Sequence, residues 1–246
     1  MKLGKLPPKF HPKTLLLEKY TTPTALPPPP KKTYWEYKVR PDSWPMYAND
    51  RIGDCTVAAI AHMIQNFTAH SGGMVTPLED EVVSTYSHLS GYDPKTGAND
   101  NGLAIVDVLN FWRTTGLSGS RIVGWAKVDH TSLDAVRQAI WLFGGVDVGA
   151  NLPLNSESQF ENREVWHVDS RNDDPIGGHS FPLFGYGRDG FTGNTWGQLQ
   201  SMLVSWFEKY VDEAYAVVTP DWIVRATSLS PSGLNLDELL RDLSMV

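Results

Sequence analysis

The chain has 246 residues, of which 41% are hydrophobic and 20% are charged, a balance typical of a globular protein with a sizeable core. Its formal net charge of -7 argues against nucleic-acid binding, which normally requires a basic face. The single cysteine, Cys55, excludes an internal disulfide and every zinc or iron–sulfur site that needs several cysteines.

The distribution of apolar residues along the sequence shows no targeting signal and no membrane-spanning segment. The sequence has no run of about 18 apolar residues, and its first residues lack the apolar stretch of a signal peptide. We therefore expect a cytoplasmic protein of bacterial or phage type, with no metal or other cofactor and no nucleic-acid or membrane partner. No pattern in the sequence specifies an oligomeric state.

Residues 1–33 form a proline-rich arm that precedes the globular part at residues 34–246. Proline does not fit inside a helix or a central strand, and the four prolines at 27–30 predict a stiff, extended spacer. One short helix is predicted at Thr14–Tyr20. Two interpretations of the arm are open: a strap packed on the globular body, or a segment that covers a binding cleft. We expect the strap, with the cleft left open.

Helices dominate the first half of the globular part and strands the second. Apolar residues at helical spacing predict four helices: Cys55–His70, Pro77–Ser90, Leu103–Thr115 and Ser132–Gly144. Alternation and short apolar runs predict five strands: Gly145–Leu152, His179–Gly185, Gly190–Asn194, Ser201–Val204 and Ala214–Val218. A long polar loop is predicted over residues 153–177, and a short amphipathic helix, Asn235–Leu243, in the C-terminal tail at 226–246. This segregation indicates an α+β fold with a helical part at about residues 50–130 and a β-rich part at about 131–225.

Cys55 follows Gly53 and Asp54 and opens the first predicted helix. The free N–H groups at a helix start stabilise a thiolate, and Asp54 is a natural N-cap. The alternative is a buried and inert cysteine.

His179 and Asn194 are placed to meet. If the hairpin between them turns within residues 185–187, the two residues lie opposite each other on neighbouring strands. The asparagine oxygen would then accept a hydrogen bond from one imidazole nitrogen, which leaves the other nitrogen to face a thiol. Trp196 would shield that hydrogen bond from water.

The order of Cys55, His179 and Asn194, with the last in an Asn-Thr-Trp-Gly context, resembles the papain-like cysteine proteases over about residues 45–220. The resemblance implies a cleft between the two halves, lined by Asn101 and Gly102 on one side and by Gly178 and Trp196 on the other. It also implies that Asn49 replaces the glutamine that stabilises the oxyanion in that family. Thr56 stands where the family has tryptophan.

The expected function is hydrolysis of peptide or related amide bonds in a peptide or protein substrate, with Cys55 and His179 as a reactive thiolate–imidazolium pair. Two alternatives stay open: a non-catalytic peptide- or protein-binding member of the same scaffold, and an amidase or acyltransferase acting on cell-wall peptides. The binding alternative is favoured by Asp54, whose charge disfavours a neighbouring thiolate.

Overall fold

A computed structural model describes residues 1–12, 14–19, 28–171, 173–222 and 229–232. The predicted helix Asn235–Leu243 and most of the tail lie outside these residues. No helix in the described part of the chain is long and apolar enough to cross a membrane.

Within these residues the α-helices are α1 (Cys55–Ser71), α2 (Glu79–Ser90), α3 (Ile105–Thr114), α4 (Leu133–Phe143), α5 (Leu154–Glu161) and α6 (Val204–Tyr210). The first four confirm the helices predicted from apolar periodicity. Left-handed glycines end α1, α2 and α4, at Gly72, Gly91 and Gly144, as expected for a residue without a Cβ atom.

The strands are β1 (Leu15–Leu16), β2 (Thr33–Tyr34), β3 (Gly124–Lys127), β4 (Val146–Pro153), β5 (Pro175–Tyr186), β6 (Gly190–Thr195), β7 (Gln198–Leu203) and β8 (Val211–Val218). They form one sheet in the order β1-β3-β8-β4-β5-β6-β7, and β2 also pairs with β5. Only the β1–β3 pair among them is parallel. The architecture is therefore α+β with a mostly antiparallel sheet.

Two predictions of local structure are wrong. The segment predicted as a helix at Thr14–Tyr20 contains strand β1 and a single 3-10 turn, Leu17–Lys19, because pairing with β3 supplies its backbone partners. The polar loop predicted over residues 153–177 contains α5. The indole N–H of Trp166 donates to the Ser156 carbonyl of that helix, a contact between distant residues that no local pattern reveals.

The sheet separates two hydrophobic cores, and successive side chains of β5 pack alternately into one core and the other. Leu183 lies in the core with α4 and α6, whereas Phe184 lies in the core with α1, α2 and α3. This alternation follows from the two-residue period of a strand. Helix α1 consequently packs on β5, which brings the start of that helix to the strand that carries His179.

Candidate active site

Cys55 is the first residue of α1 and is 1% exposed. The backbone N–H groups of Ser180 in β5 and Gly4 in the N-terminal arm act on its sulfur, since both lower the pKa of the thiol. The thiol therefore lies between the helical half and the sheet, as the sequence predicts for a cleft, but it is covered by the chain itself.

His179 lies in β5 opposite Ala150 of β4 and is fully buried. Its Nε2 atom is 2.6 Å from the Thr195 hydroxyl, and its ring stacks on Trp196 at 4.6 Å between centroids. The Nδ1 atom has no hydrogen-bond partner within the described residues. A donor bond from Nε2 to Thr195 leaves Nδ1 unprotonated and able to accept a proton.

The predicted hydrogen bond between Asn194 and His179 is absent. The β5–β6 hairpin turns after Tyr186, where the Gly187 N–H donates to the Gly190 carbonyl over 2.9 Å, so the register differs from the one predicted. Both amide atoms of Asn194 are buried without a hydrogen-bond partner in the described part of the chain. Thr195, which the sequence analysis missed, is the polar partner of the imidazole.

Asn49 is buried, and its amide is already engaged. It donates to Asp54 Oδ1 over 3.1 Å and to the Ile52 carbonyl over 3.4 Å. Asp54 precedes α1 but makes no side-chain capping bond, which corrects the capping role predicted for it. Burial raises the pKa of Asp54 well above its usual range, although the hydrogen bond from Asn49 lowers it, so burial disfavours a negative charge beside the thiol.

The predicted cleft lining binds a peptide, and that peptide is the start of the chain. The Leu103 N–H donates to Gly4 O over 2.8 Å, the Leu6 N–H donates to Leu103 O over 3.0 Å, and the Lys5 N–H donates to Gly178 O over 2.9 Å. Residues 1–6, the N-terminal segment, thus reach the site, where Lys5 forms an isolated parallel β-bridge with Leu103. The expectation that the arm leaves the cleft open is wrong.

Two glycines of the cleft are required by this close approach. A Cβ atom on Gly102 would lie 1.9 Å from Gly4 O, and one on Gly178 would lie 2.1 Å from Lys5 O. Asn101 is exposed, and its N–H donates to Asn99 O over 2.9 Å. Trp196 contributes by stacking on His179, so Gly102 and Gly178 are the predicted lining residues that touch the bound segment.

The site is electrostatically neutral in this arrangement. Burial raises the pKa of the Cys55 thiol to about 12, against the two backbone donors that lower it. Burial also lowers the pKa of His179 to about 3. The thiolate–imidazolium pair expected from the sequence is therefore not the state of the covered site, because neither charge is solvated there.

No group of three histidine, cysteine, aspartate or glutamate side chains in the described ranges is placed to hold a metal ion. His62, for example, bonds the Pro45 carbonyl over 2.9 Å and lies in the aromatic core beside Trp44 and Tyr47.

This arrangement is the papain-like fold. No protein-family profile and no curated protein sequence matches the chain, but solved structures do. The cysteine protease xylellain from Xylella fastidiosa superposes with a TM-score of 0.64 at 15% identity, covering 88% of this chain and 96% of xylellain.

Two further structures share the fold at similarly low identity. Digestive procathepsin L 3 of Tenebrio molitor larval midgut gives a TM-score of 0.59 at 11% identity, covering 87% of this chain and 75% of its own. The ragweed pollen cysteine protease Amb a 11, in its proform, superposes with a TM-score of 0.56 at 15% identity. The match covers 79% of this chain and 68% of the Amb a 11 chain. The chain is thus a divergent example of the fold that these cysteine proteases share.

Proposed function

We propose that the protein is a cysteine-dependent hydrolase of peptide bonds whose cleft is covered by its own N-terminal segment. One observation carries the proposal: beside Cys55 the protein binds a peptide, residues 4–6 of its own chain, through main-chain hydrogen bonds to Leu103 and Gly178. Binding a peptide backbone beside a thiol is the positioning step that hydrolysis by that thiol requires.

The reaction follows from the groups around the thiol once the segment has left. Nδ1 of His179 takes the proton from Sγ of Cys55, and the sulfur attacks the substrate carbonyl carbon. The backbone N–H of Cys55, in the first turn of α1 where helix donors lack partners, donates to the resulting oxyanion. The imidazolium then protonates the leaving amine, and water, deprotonated by His179, releases the acid and restores the thiol.

Thr195 takes the orienting role that the sequence analysis gave to Asn194, because its hydroxyl meets Nε2 of His179. Asn49 is the second candidate oxyanion donor, and it serves only when its amide leaves Asp54.

The second candidate function is peptide binding without hydrolysis. It is favoured by the engaged amide of Asn49, since loss of one oxyanion donor lowers the rate of acyl transfer by about 100- to 1,000-fold.

The test uses the full chain carrying Gly4→Ala. A Cβ atom at this position would lie 1.9 Å from the Gly53 carbonyl oxygen, so the substitution displaces the segment without altering Cys55 or His179. We expect this chain to hydrolyse a pool of fluorogenic peptide amides and to be labelled at Cys55 by a peptidyl vinyl sulfone.

Cys55→Ala and His179→Ala, each added to Gly4→Ala, should abolish hydrolysis. Tight binding of the peptides with no hydrolysis and no labelling would favour the binding protein instead.

A further inference from the structure

Lys5 of the N-terminal segment is buried in an acidic pocket. Its side chain is 1% exposed, and Nζ lies 2.9 Å from Asp212 Oδ1 and 3.1 Å from Glu213 Oε1. Lysine is almost never fully buried unless it is paired. The pocket is therefore matched in charge to the side chain that fills it.

The pocket is held in shape by groups other than Lys5. The Tyr215 hydroxyl donates to Glu213 over 2.8 Å, and the Asn151 amide donates to Asp212 over 3.1 Å. A third carboxyl group, that of Asp147, is fully buried, and its Oδ2 atom has no hydrogen-bond partner in the described residues. The bonds to Asp212 and Glu213 come from the protein body and not from Lys5, and such prior positioning of a binding group lowers the entropy cost of binding.

Gly149 provides the room for the aliphatic part of the lysine. A Cβ atom at this position would lie 2.1 Å from Cε of Lys5 and 2.8 Å from Cγ of Glu213. The register of β4 and β8 places Gly149 directly opposite Glu213, next to a β-bulge. The pocket therefore has a passage for a linear side chain and carboxylates at its end.

The pocket opens beside the candidate catalytic groups. The backbone N–H of Lys5 donates to the carbonyl of Gly178, the residue before His179, and the preceding residue, Gly4, packs against the backbone of Gly53, two residues before Cys55. Any peptide bound along the same main-chain partners would direct one side chain toward Asp212 and Glu213.

We propose that this pocket is the specificity site of the enzyme and selects peptide substrates that carry a lysine side chain there, the position that Lys5 occupies when the cleft is covered. The inference rests on the proposed peptidase function. An apolar side chain would leave the buried Glu213 carboxyl group, and the partly exposed Asp212 beside it, without a counter-charge, which is unfavourable.

The first experiment uses the full chain carrying Lys5→Ala together with Gly4→Ala, so that the segment is displaced from the cleft and its lysine cannot refill the pocket. Fluorogenic peptide amides are compared in pairs that differ only in lysine or norleucine at one of the four positions before the cleaved bond. We expect kcat/KM to favour lysine at one position by at least about tenfold, since sites built for a polar group reject analogues that lack it.

Glu213→Gln, added to these two substitutions, should bring that ratio toward one, whereas Glu208→Gln, an exposed site on α6, should leave it unchanged. Hydrolysis with equal rates for both members of every pair would overturn the specificity. Should the double variant fail to fold, the same pairs are tested on Gly4→Ala alone.

The second experiment does not depend on catalysis. The melting temperature of Lys5→Ala should rise with n-butylammonium and not with n-butanol, and the wild-type chain should respond to neither. Equal shifts with both compounds would contradict the pocket. Stabilisation by the amine with no hydrolysis of any peptide would instead refute the peptidase function and leave a lysine-selective binding site.

Discussion

The Thr195 hydroxyl lies 2.6 Å from Nε2 of His179, and this contact leaves Nδ1 as the ring nitrogen without a hydrogen-bond partner among the described residues. With Nε2 donating to Thr195, Nδ1 carries the free lone pair. Trp196 stacks on the ring and keeps water from this contact.

Removing the Thr195 hydroxyl should therefore impair catalysis more than removing the neighbouring amide. In the Gly4→Ala chain, Thr195→Val leaves a buried ring N–H without an acceptor, at a cost of about 1–3 kcal/mol, which corresponds to a loss in kcat/KM of about 5- to 150-fold if the whole cost falls on the transition state. Asn194→Ala, whose amide has no partner to lose, should lower kcat/KM less.

Thr195→Ser is the matched control, because it keeps the hydroxyl and should retain most of the activity. If Asn194→Ala lowered kcat/KM more than Thr195→Val, Asn194 and not Thr195 would be the residue that orients the His179 ring, as the sequence predicts.

The sequence predicts α1, the position of Cys55 at its start and the strand that carries His179, because each depends on local periodicity and on residues that end helices. The partner of His179 is not predictable in this way. It depends on the register of β5 and β6, and a shift of the turn changes which residue faces the ring. The burial of Lys5 is further from any local signal, since its partners Asp212 and Glu213 come from the other end of the chain.

Displacement of the N-terminal segment should expose the thiol. Gly4→Ala forces the segment away from Gly53, and Cys55 is only 1% exposed in the covered chain. We therefore expect iodoacetamide to alkylate Cys55 at least about tenfold faster in Gly4→Ala than in wild type. A tenfold difference corresponds to a local opening that costs about 1.4 kcal/mol in the wild-type chain. Mass spectrometry after timed quenching measures the rate.

Gly73→Ala is a suitable control, because a Cβ atom there has no neighbour within 4 Å. Unchanged alkylation in Gly4→Ala would mean that the segment does not limit access to the thiol.

The pH dependence of alkylation should differ between the covered and open chains. With a thiol pKa of about 12, wild type should react appreciably only in strongly alkaline solution, because the thiolate is the nucleophile. In Gly4→Ala, renewed solvation lets His179 carry a proton beside the sulfur, and the midpoint should fall below the ordinary cysteine pKa of about 8.5.

Adding His179→Ala to Gly4→Ala should return that midpoint to about 8.5 or above. A midpoint that does not respond to His179 would show that the imidazole and the thiol are not coupled.

Asp147 should make the folded protein less stable as the pH rises through neutrality. Burial raises its pKa from 3.8 to about 8, although the Ser180 hydroxyl and the Lys5 charge lower it. Between these two values the native state keeps a proton that the unfolded chain releases, so the free energy of unfolding falls with increasing pH by at most about 1.4 kcal/mol per unit.

Asp147→Asn retains an acceptor for Ser180 and has no proton to lose, so its free energy of unfolding should decline less steeply between about pH 5 and about pH 7.5. Urea denaturation at several pH values measures both slopes. Asp80→Asn, at an exposed position on α2, should keep the wild-type slope. If Asp147→Asn kept it too, Asp147 would be ionised in the folded protein, and Lys5 would then balance one more negative charge at the base of its pocket.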